Sequence, residues 1–132
     1  WLLAREAGSL GLVSMFHVAE HLPAGTLFAW LNAARRALAP GGWLLIETPN
    51  PENLQVAAYS FWFDPTHRHP LPPPLLDVLT SEAGFETVEV LRLAPWPELA
   101  QTDETYPPYL RKLLFCGQDY ALVARRPTGE AG

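Results

Sequence analysis

Two short stretches concentrate the residue types that do acid–base or metal chemistry, and together they hold all 4 histidines of the chain. The first is His17-Val18-Ala19-Glu20-His21, which matches the H-x-x-E-H zinc pattern. Two imidazoles at i and i+4 on one helix can grip an ion while the glutamate acts as base. The surroundings argue against that use. His17 directly follows an apolar run, Pro23 closely follows His21, and no downstream helix offers a clear acidic third ligand. A ligating pair of this type belongs well inside a long helix, so no metal is expected. In the plainer reading Glu20 and His21 cap the following helix or bond loop backbone, and His17 lines a ligand site.

The second stretch is Phe61-Trp62-Phe63-Asp64-Pro65-Thr66-His67-Arg68-His69-Pro70. Asp64 with His67 or His69 makes an acid/base pair in which the carboxylate orients the imidazole. The alternative is an Asp-Pro-Thr turn, with Asp64 bonding its own downstream backbone and Phe61 and Phe63 packed in the core. Other catalytic patterns are absent. There is no G-x-G-x-x-G and no Walker loop, and neither Ser14 nor Ser60 sits in a G-x-S-x-G elbow. The single cysteine, Cys116, lies in the apolar run Leu113-Leu114-Phe115, where a buried, inert thiol is expected.

These residues need elements to position them. Leu10 to Phe16 reads as a short strand buried on both faces. Leu27, Trp30, Leu31, Ala34 and Leu38 then form one apolar stripe at helical spacing, with Arg35 and Arg36 in the last turns, where cations suit the helix dipole. Trp30 and Trp43 are expected in the core. Pro40-Gly41-Gly42 is expected to end the helix, and Trp43 to Glu47 to form a second buried strand. Strand, helix and strand with short links make a βαβ unit and a parallel pair, with a ligand crevice at the strand carboxyl ends. Residues 52–60 read as a short helix with Asn50 as its cap, and Leu75 to Ala83 as a helix stopped by Gly84. A strand is expected over Thr87 to Leu93, a loop over 94–106, a helix over Pro107 to Phe115 and a last strand over Tyr120 to Ala124.

The bulk numbers fit one domain. The chain has 132 residues, 48% hydrophobic and 17% charged, enough for one core. A net charge of -5 argues against a nucleic-acid surface, and no apolar run approaches the ~20 residues of a membrane span. A lone cysteine and the lack of a signal-like start imply a cytoplasmic setting. Of the 14 prolines, nine fall within 65–74 and 95–108, which implies two loops walling a site. The start at Trp1 implies a fragment or a processed chain.

The series strand, His17-Val18-Ala19-Glu20-His21-Leu22, helix with Arg35-Arg36-Ala37-Leu38, Pro40-Gly41-Gly42, strand, Glu47-Thr48-Pro49-Asn50-Pro51-Glu52-Asn53 resembles the second half of a class I S-adenosylmethionine-dependent methyltransferase. Together with Phe63-Asp64-Pro65-Thr66-His67 it is similar to a bacterial branch often found with glycan and O-antigen synthesis genes. The resemblance runs from about Leu10 to Ala124. It implies an α/β fold: the C-terminal half of a Rossmann-like methyltransferase sheet, mainly parallel with an antiparallel last strand, so that 1–132 is a single partial domain without the N-terminal cofactor-binding half.

The resemblance also implies roles. Phe16, His17 and Val18 would line the methionine end and ribose side of S-adenosylmethionine. Thr48, Pro49, Asn50, Asp64 and His67 would face a small-molecule or glycan acceptor. His67 or His17, with Asp64, would supply the base. The first strand would leave an open sheet edge, and the chain either lacks its neighbour there or pairs that edge with another copy as a homodimer. Two rival readings remain from the residues alone: a metal-dependent hydrolase built on the H-x-x-E-H motif, and a non-catalytic, self-associating remnant.

Overall fold

The computed structural model describes residues 1–97, 102 and 104–129. Part of the proline-rich segment expected as a loop therefore lies outside the described residues. A 3-10 turn at Leu2–Ala4 leads to strand β1 (Leu10–Phe16), a second 3-10 turn at Ala19–His21, helix α1 (Ala24–Ala37) and strand β2 (Leu38–Pro49). Helix α2 (Leu54–Ala58), helix α3 (Pro73–Glu82) and strand β3 (Glu86–Leu93) follow, then helix α4 (Pro108–Phe115) and strand β4 (Asp119–Arg125).

The four strands form one sheet in the order β1-β2-β4-β3. β1 and β2 are parallel, with Phe16 opposite Glu47. β4 slots between β2 and β3 and runs antiparallel to both. Three strands thus share one direction and the last opposes them, as expected for the end of a Rossmann-like sheet.

One face of this sheet is packed. Leu27, Leu31 and Ala34 of α1 are fully buried, and they meet Val13, Met15, Leu44, Ile46, Leu122 and Ala124 from the strands. α3 lies over β3 and β4 and contributes Leu76. Burying such side chains stabilises by roughly 1.5–3 kcal/mol each. The other face is bare among the described residues: Leu12, Phe16, Trp43 and Val88 are all more than 40% exposed. That corrects the expectation that β1 and β2 are covered on both sides and that Trp43 is a core residue. The apolar run was real, but no described helix covers its second face.

Two boundaries also differ from expectation. β2 begins at Leu38, because Leu38 is already extended and pairs with Leu10. Pro40-Gly41-Gly42 is a bulge within the strand rather than the end of the helix, and the register shifts between Leu10 and Leu12 to accommodate it. Gly41 takes φ +78 there, a conformation open to glycine. The last carbonyls of α1 are served by a distant cation: Arg126 Nη1 donates to the Arg35 and Leu38 oxygens. Arg35 instead reaches Gly84, whose φ of +86 ends α3, as expected.

The cap of α2 is Asn53 rather than Asn50. Asn53 Oδ1 accepts from the Gln55 and Val56 amides, and its Nδ2 donates to the Cys116 carbonyl. Asn50 is fully buried too, with Nδ2 donating to the Gly117 carbonyl and Oδ1 accepting from the Glu52 amide. The two asparagines together fasten the turn after β2 to the segment entering β4.

Candidate functional site

The carboxyl ends of β1 and β2 lie side by side. The His17 amide donates to the Glu47 carbonyl at 2.9 Å, which extends the ladder by one residue. The chain then turns sharply, with φ +51 at His17, a left-handed value uncommon for a side chain with a Cβ. The 3-10 turn at Ala19–His21 carries Glu20 back beneath β2. Glu20 is fully buried, and its Oε2 accepts from Thr48 Oγ1 at 2.9 Å. This corrects the expectation that Glu20 caps α1 or bonds loop backbone.

The second Glu20 oxygen, Oε1, is buried and meets no hydrogen-bond donor among the described residues. Three imidazole nitrogens approach it without bonding it: His17 Nδ1 at 3.5 Å, His67 Nε2 at 3.9 Å and His21 Nε2 at 4.0 Å. The loop after α2 delivers His67. There Asp64 forms the Asx turn, with Oδ1 accepting from the Thr66 amide at 2.8 Å and the Thr66 hydroxyl at 2.6 Å. Those two donors hold its carboxyl below the usual range. Asp64 Oδ2 stands 3.8 Å from His67 Nε2, so the turn and the charge pairing coexist. Phe61 is buried, as expected, and stacks on the His67 ring. Phe63 is not in the core; it is 67% exposed, because the 3-10 turn at Ser60–Phe63 points it outward.

The far ring nitrogens of His21 and His67 are fixed. His67 Nδ1 lies 2.5 Å from the Phe61 carbonyl, which can only accept, so that nitrogen carries the proton. The Thr66 hydroxyl donates to Asp64, so it accepts from His21 Nδ1 at 2.9 Å. In their neutral forms both imidazoles therefore turn the Nε2 lone pair toward Glu20 Oε1. His17 is engaged elsewhere, with Nε2 3.0 Å from Glu47 Oε1. It groups with Glu47 and Asp119, while His21 groups with Glu20 and His67. The two histidines of the H-x-x-E-H motif thus do not share a helix face.

Of the other expected site residues, Phe16 and Val18 are about half exposed beside His17. Thr48 and Asn50 are fully buried with partners inside the protein. Pro49 and His67 line a cavity of about 150 Å³ with Phe61 and Asp119. His21, Pro65, Thr66, His67 and Arg68 line an open cleft of about 620 Å³. Sequence reasoning missed Glu47 and Asp119 as site residues. Burial pushes the Asp119 carboxyl up, with Glu47 and Glu20 adding to the effect and His17 opposing it. Cys116 is raised by burial as well, in keeping with an inert thiol.

A family model described as a methyltransferase domain matches residues 3–90, about two thirds of the chain. The chain belongs to the methyltransferase-domain family. This methyltransferase domain also resembles solved structures across 95% or more of its length. A SAM-dependent methyltransferase from Archaeoglobus fulgidus is 26% identical, with 95% of this chain and 63% of that one covered and a TM-score of 0.79. An S-adenosylmethionine-dependent methyltransferase from Mesorhizobium loti is 13% identical, covered over 96% of this chain and 67% of that one, with a TM-score of 0.63. The cyclase SpnF matches at 15% identity, over 96% of this chain and 53% of its own, with a TM-score of 0.63. Likeness at the last two identities establishes fold alone, and the cyclase shows that one fold hosts more than one chemistry. The methyltransferase domain spans 63% of the Archaeoglobus chain and 53% of SpnF. No curated protein matches it in sequence. Among the described residues, no helix is long and apolar enough to cross a membrane.

Proposed function

We propose that this chain forms the acceptor-side part of an S-adenosylmethionine-dependent methyltransferase that methylates a hydroxyl or amine of a small, sugar-like acceptor. The observation that carries the reading is the parallel β1–β2 pair, whose carboxyl ends bring His17 beside Glu47 over the buried Glu20–Thr48 pair. Ligands bind at such strand ends in open α/β sheets.

The residues present fit the cofactor. Glu20, Glu47 and Asp119 make this end of the sheet acidic, which suits a sulfonium cation, and Phe16 offers a half-exposed aromatic face. Phe16, His17 and Val18 would hold the methionine end and ribose side. The cofactor supplies an electrophilic methyl group when bound. The chain's own work is then to orient the acceptor and remove its proton. Holding the reactants in line accounts for much of the rate in such a displacement. The proton acceptor is His67 Nε2, whose lone pair is fixed by the bond from Nδ1 to the Phe61 carbonyl.

The sugar-like acceptor follows from the cleft's polar lining and from the aromatics beside it. Tyr59, Trp62 and Phe63 are 68%, 54% and 67% exposed, and flat apolar rings with polar surroundings suit pyranose faces. The open edge of β1 and the bare sheet face are where the remainder of a methyltransferase sheet would pack. The test is calorimetric titration with S-adenosylhomocysteine of this chain alone and of the chain joined to the cofactor-binding half of a methyltransferase sheet, followed by transfer of labelled methyl to a panel of glycosides by the joined protein. The expected result is weak or no binding by the chain alone and micromolar binding by the joined protein, weakened about tenfold by Phe16→Ala. No binding by the joined protein at millimolar S-adenosylhomocysteine would sink the reading.

A further inference from the structure

We propose that Glu20, His21 and His67 form a binding site for a divalent first-row transition-metal ion. The argument starts from an electrostatic conflict. Glu20 Oε1 is buried with no donor, and the Nε2 atoms of His21 and His67 face it at 4.0 and 3.9 Å. Both rings are locked by hydrogen bonds from Nδ1, to the Thr66 hydroxyl and to the Phe61 carbonyl. With both rings neutral, three acceptors therefore converge on one region. Buried polar atoms of this kind are rarely left unpaired.

The three ligand atoms lie within 4.8 Å of one another. With two of the separations at 3.9 and 4.0 Å, a point in their plane lies no more than about 2.5 Å from each. Bonds of roughly 2.0–2.2 Å to zinc need the ligands to close by only a few tenths of an ångström. The supporting bonds are those that metal-bound histidines make: one Nδ1 donates to a backbone carbonyl, the other to a hydroxyl that is itself held by the Asp64 carboxylate. Two imidazoles and one carboxylate favour zinc, cobalt, iron or manganese over magnesium and calcium. The open cleft lined by His21, Thr66, His67 and Arg68 leads to the site, leaving room for water or an acceptor oxygen. His17 Nδ1 comes to 3.5 Å of the same oxygen, but its Nε2 is bonded to Glu47 and its ring groups with Glu47 and Asp119.

The site goes beyond the methyl-transfer reading and does not depend on it. With an ion bound, the His67 lone pair would be a ligand instead of a base, and the ion would lower the pKa of a bound acceptor hydroxyl, whose proton would pass to water in the open cleft. The experiment uses the purified, untagged protein, stripped with chelator and titrated calorimetrically with Zn²⁺ and with Co²⁺. Visible absorption follows the cobalt. The expected result is one ion per chain at micromolar affinity, with cobalt bands that report imidazole ligation. His67→Gln and Glu20→Gln should each weaken binding tenfold or more, Thr66→Val about tenfold, and His69→Ala not at all. Circular dichroism checks that each variant folds, and the wild-type cobalt spectrum stands whether or not they do. Absence of binding at a hundred micromolar of either ion, or equal binding by Glu20→Gln, would overturn the site. The metal titration reads this site alone, so its failure is distinct from failure of the methyltransferase reading, which the S-adenosylhomocysteine titration of the joined protein tests.

Discussion

Replacing Glu20 with glutamine should stabilise the metal-free protein, although a buried, bonded residue is being changed. Glu20 is fully buried; Oε2 accepts from Thr48 and Oε1 has no donor. A glutamine in the same rotamer keeps the Thr48 bond through its carbonyl oxygen. Its amide nitrogen takes the place of Oε1 and offers two N–H groups toward the Nε2 atoms of His21 and His67. Those atoms stand 4.0 and 3.9 Å from Oε1, so a small rotation brings at least one to bonding distance. Relieving an unsatisfied buried acceptor is worth about 1–3 kcal/mol, and each new neutral hydrogen bond about 0.5–1.5 kcal/mol. Allowing for imperfect geometry, the gain is about 1–3 kcal/mol, a rise in Tm of roughly 3–10 °C for a domain of this size.

Glu20→Ala sets the scale in the other direction. It removes the Thr48 partner and leaves a void, and should cost about 2–4 kcal/mol. The assay is thermal unfolding of wild type and both variants in chelator at pH 8. If glutamine destabilises as much as alanine, the carboxylate charge is favourably paired and the convergence of lone pairs is wrong. Adding zinc narrows the gap: at a hundred times the wild-type dissociation constant it stabilises the wild type by about 2.7 kcal/mol, and a Glu20→Gln protein that binds tenfold more weakly by only about 1.4 kcal/mol.

Three further outcomes follow from individual contacts. Tyr120 is fully buried and its hydroxyl donates to the Leu71 carbonyl at 2.7 Å, so Tyr120→Phe should cost about 1–2 kcal/mol in denaturant titration. Asn53→Ala removes the α2 cap and the tie to Cys116, and should cost about 2 kcal/mol and expose the 116–117 segment to faster amide exchange. Asp119 is raised by burial, so its charged form is disfavoured in the folded state and stability is lost as pH rises from the ordinary carboxylate value through the raised one. Asp119→Asn should therefore stabilise above that window and not below it; a gain independent of pH in melting curves from pH 3 to 8 would refute the assignment.

The frame of the fold was legible because its signals are local. Leu10 to Phe16 is an apolar run between breakers, and its ends match β1. The α1 stripe follows helical period, and Gly84 stops α3 for the expected reason. Signals that needed a partner were not legible. Pro40-Gly41-Gly42 looks like a helix stop, but Leu10 recruits Leu38 into the sheet before it. Asn50 and Asn53 are chemically equal cap candidates, and only the Cys116 and Gly117 carbonyls decide which does what. Trp43 reads as core, yet whether its face is covered depends on residues far from it in sequence.

The candidate site divides along the same line. His17, Glu20 and His21 announced themselves by spacing, and Asp64 to His67 by composition, but neither stretch shows that the other completes it. The structure joins them through a carboxylate that the motif alone assigns to a base, a cap or loop backbone. The unusual features then fall together: a left-handed backbone at His17, a buried acceptor without a donor at Glu20, and two imidazoles locked with lone pairs inward. The left-handed residue and the unpaired acceptor each cost about 1–3 kcal/mol. Thr48 alone does not explain them, since a glutamine would satisfy Thr48 without the orphaned oxygen. A positively charged occupant accounts for the carboxylate and for the orientation of both rings at once. The locked rings and the buried carboxylate are therefore most simply read as a site built for that occupant and left with unmatched acceptors without it.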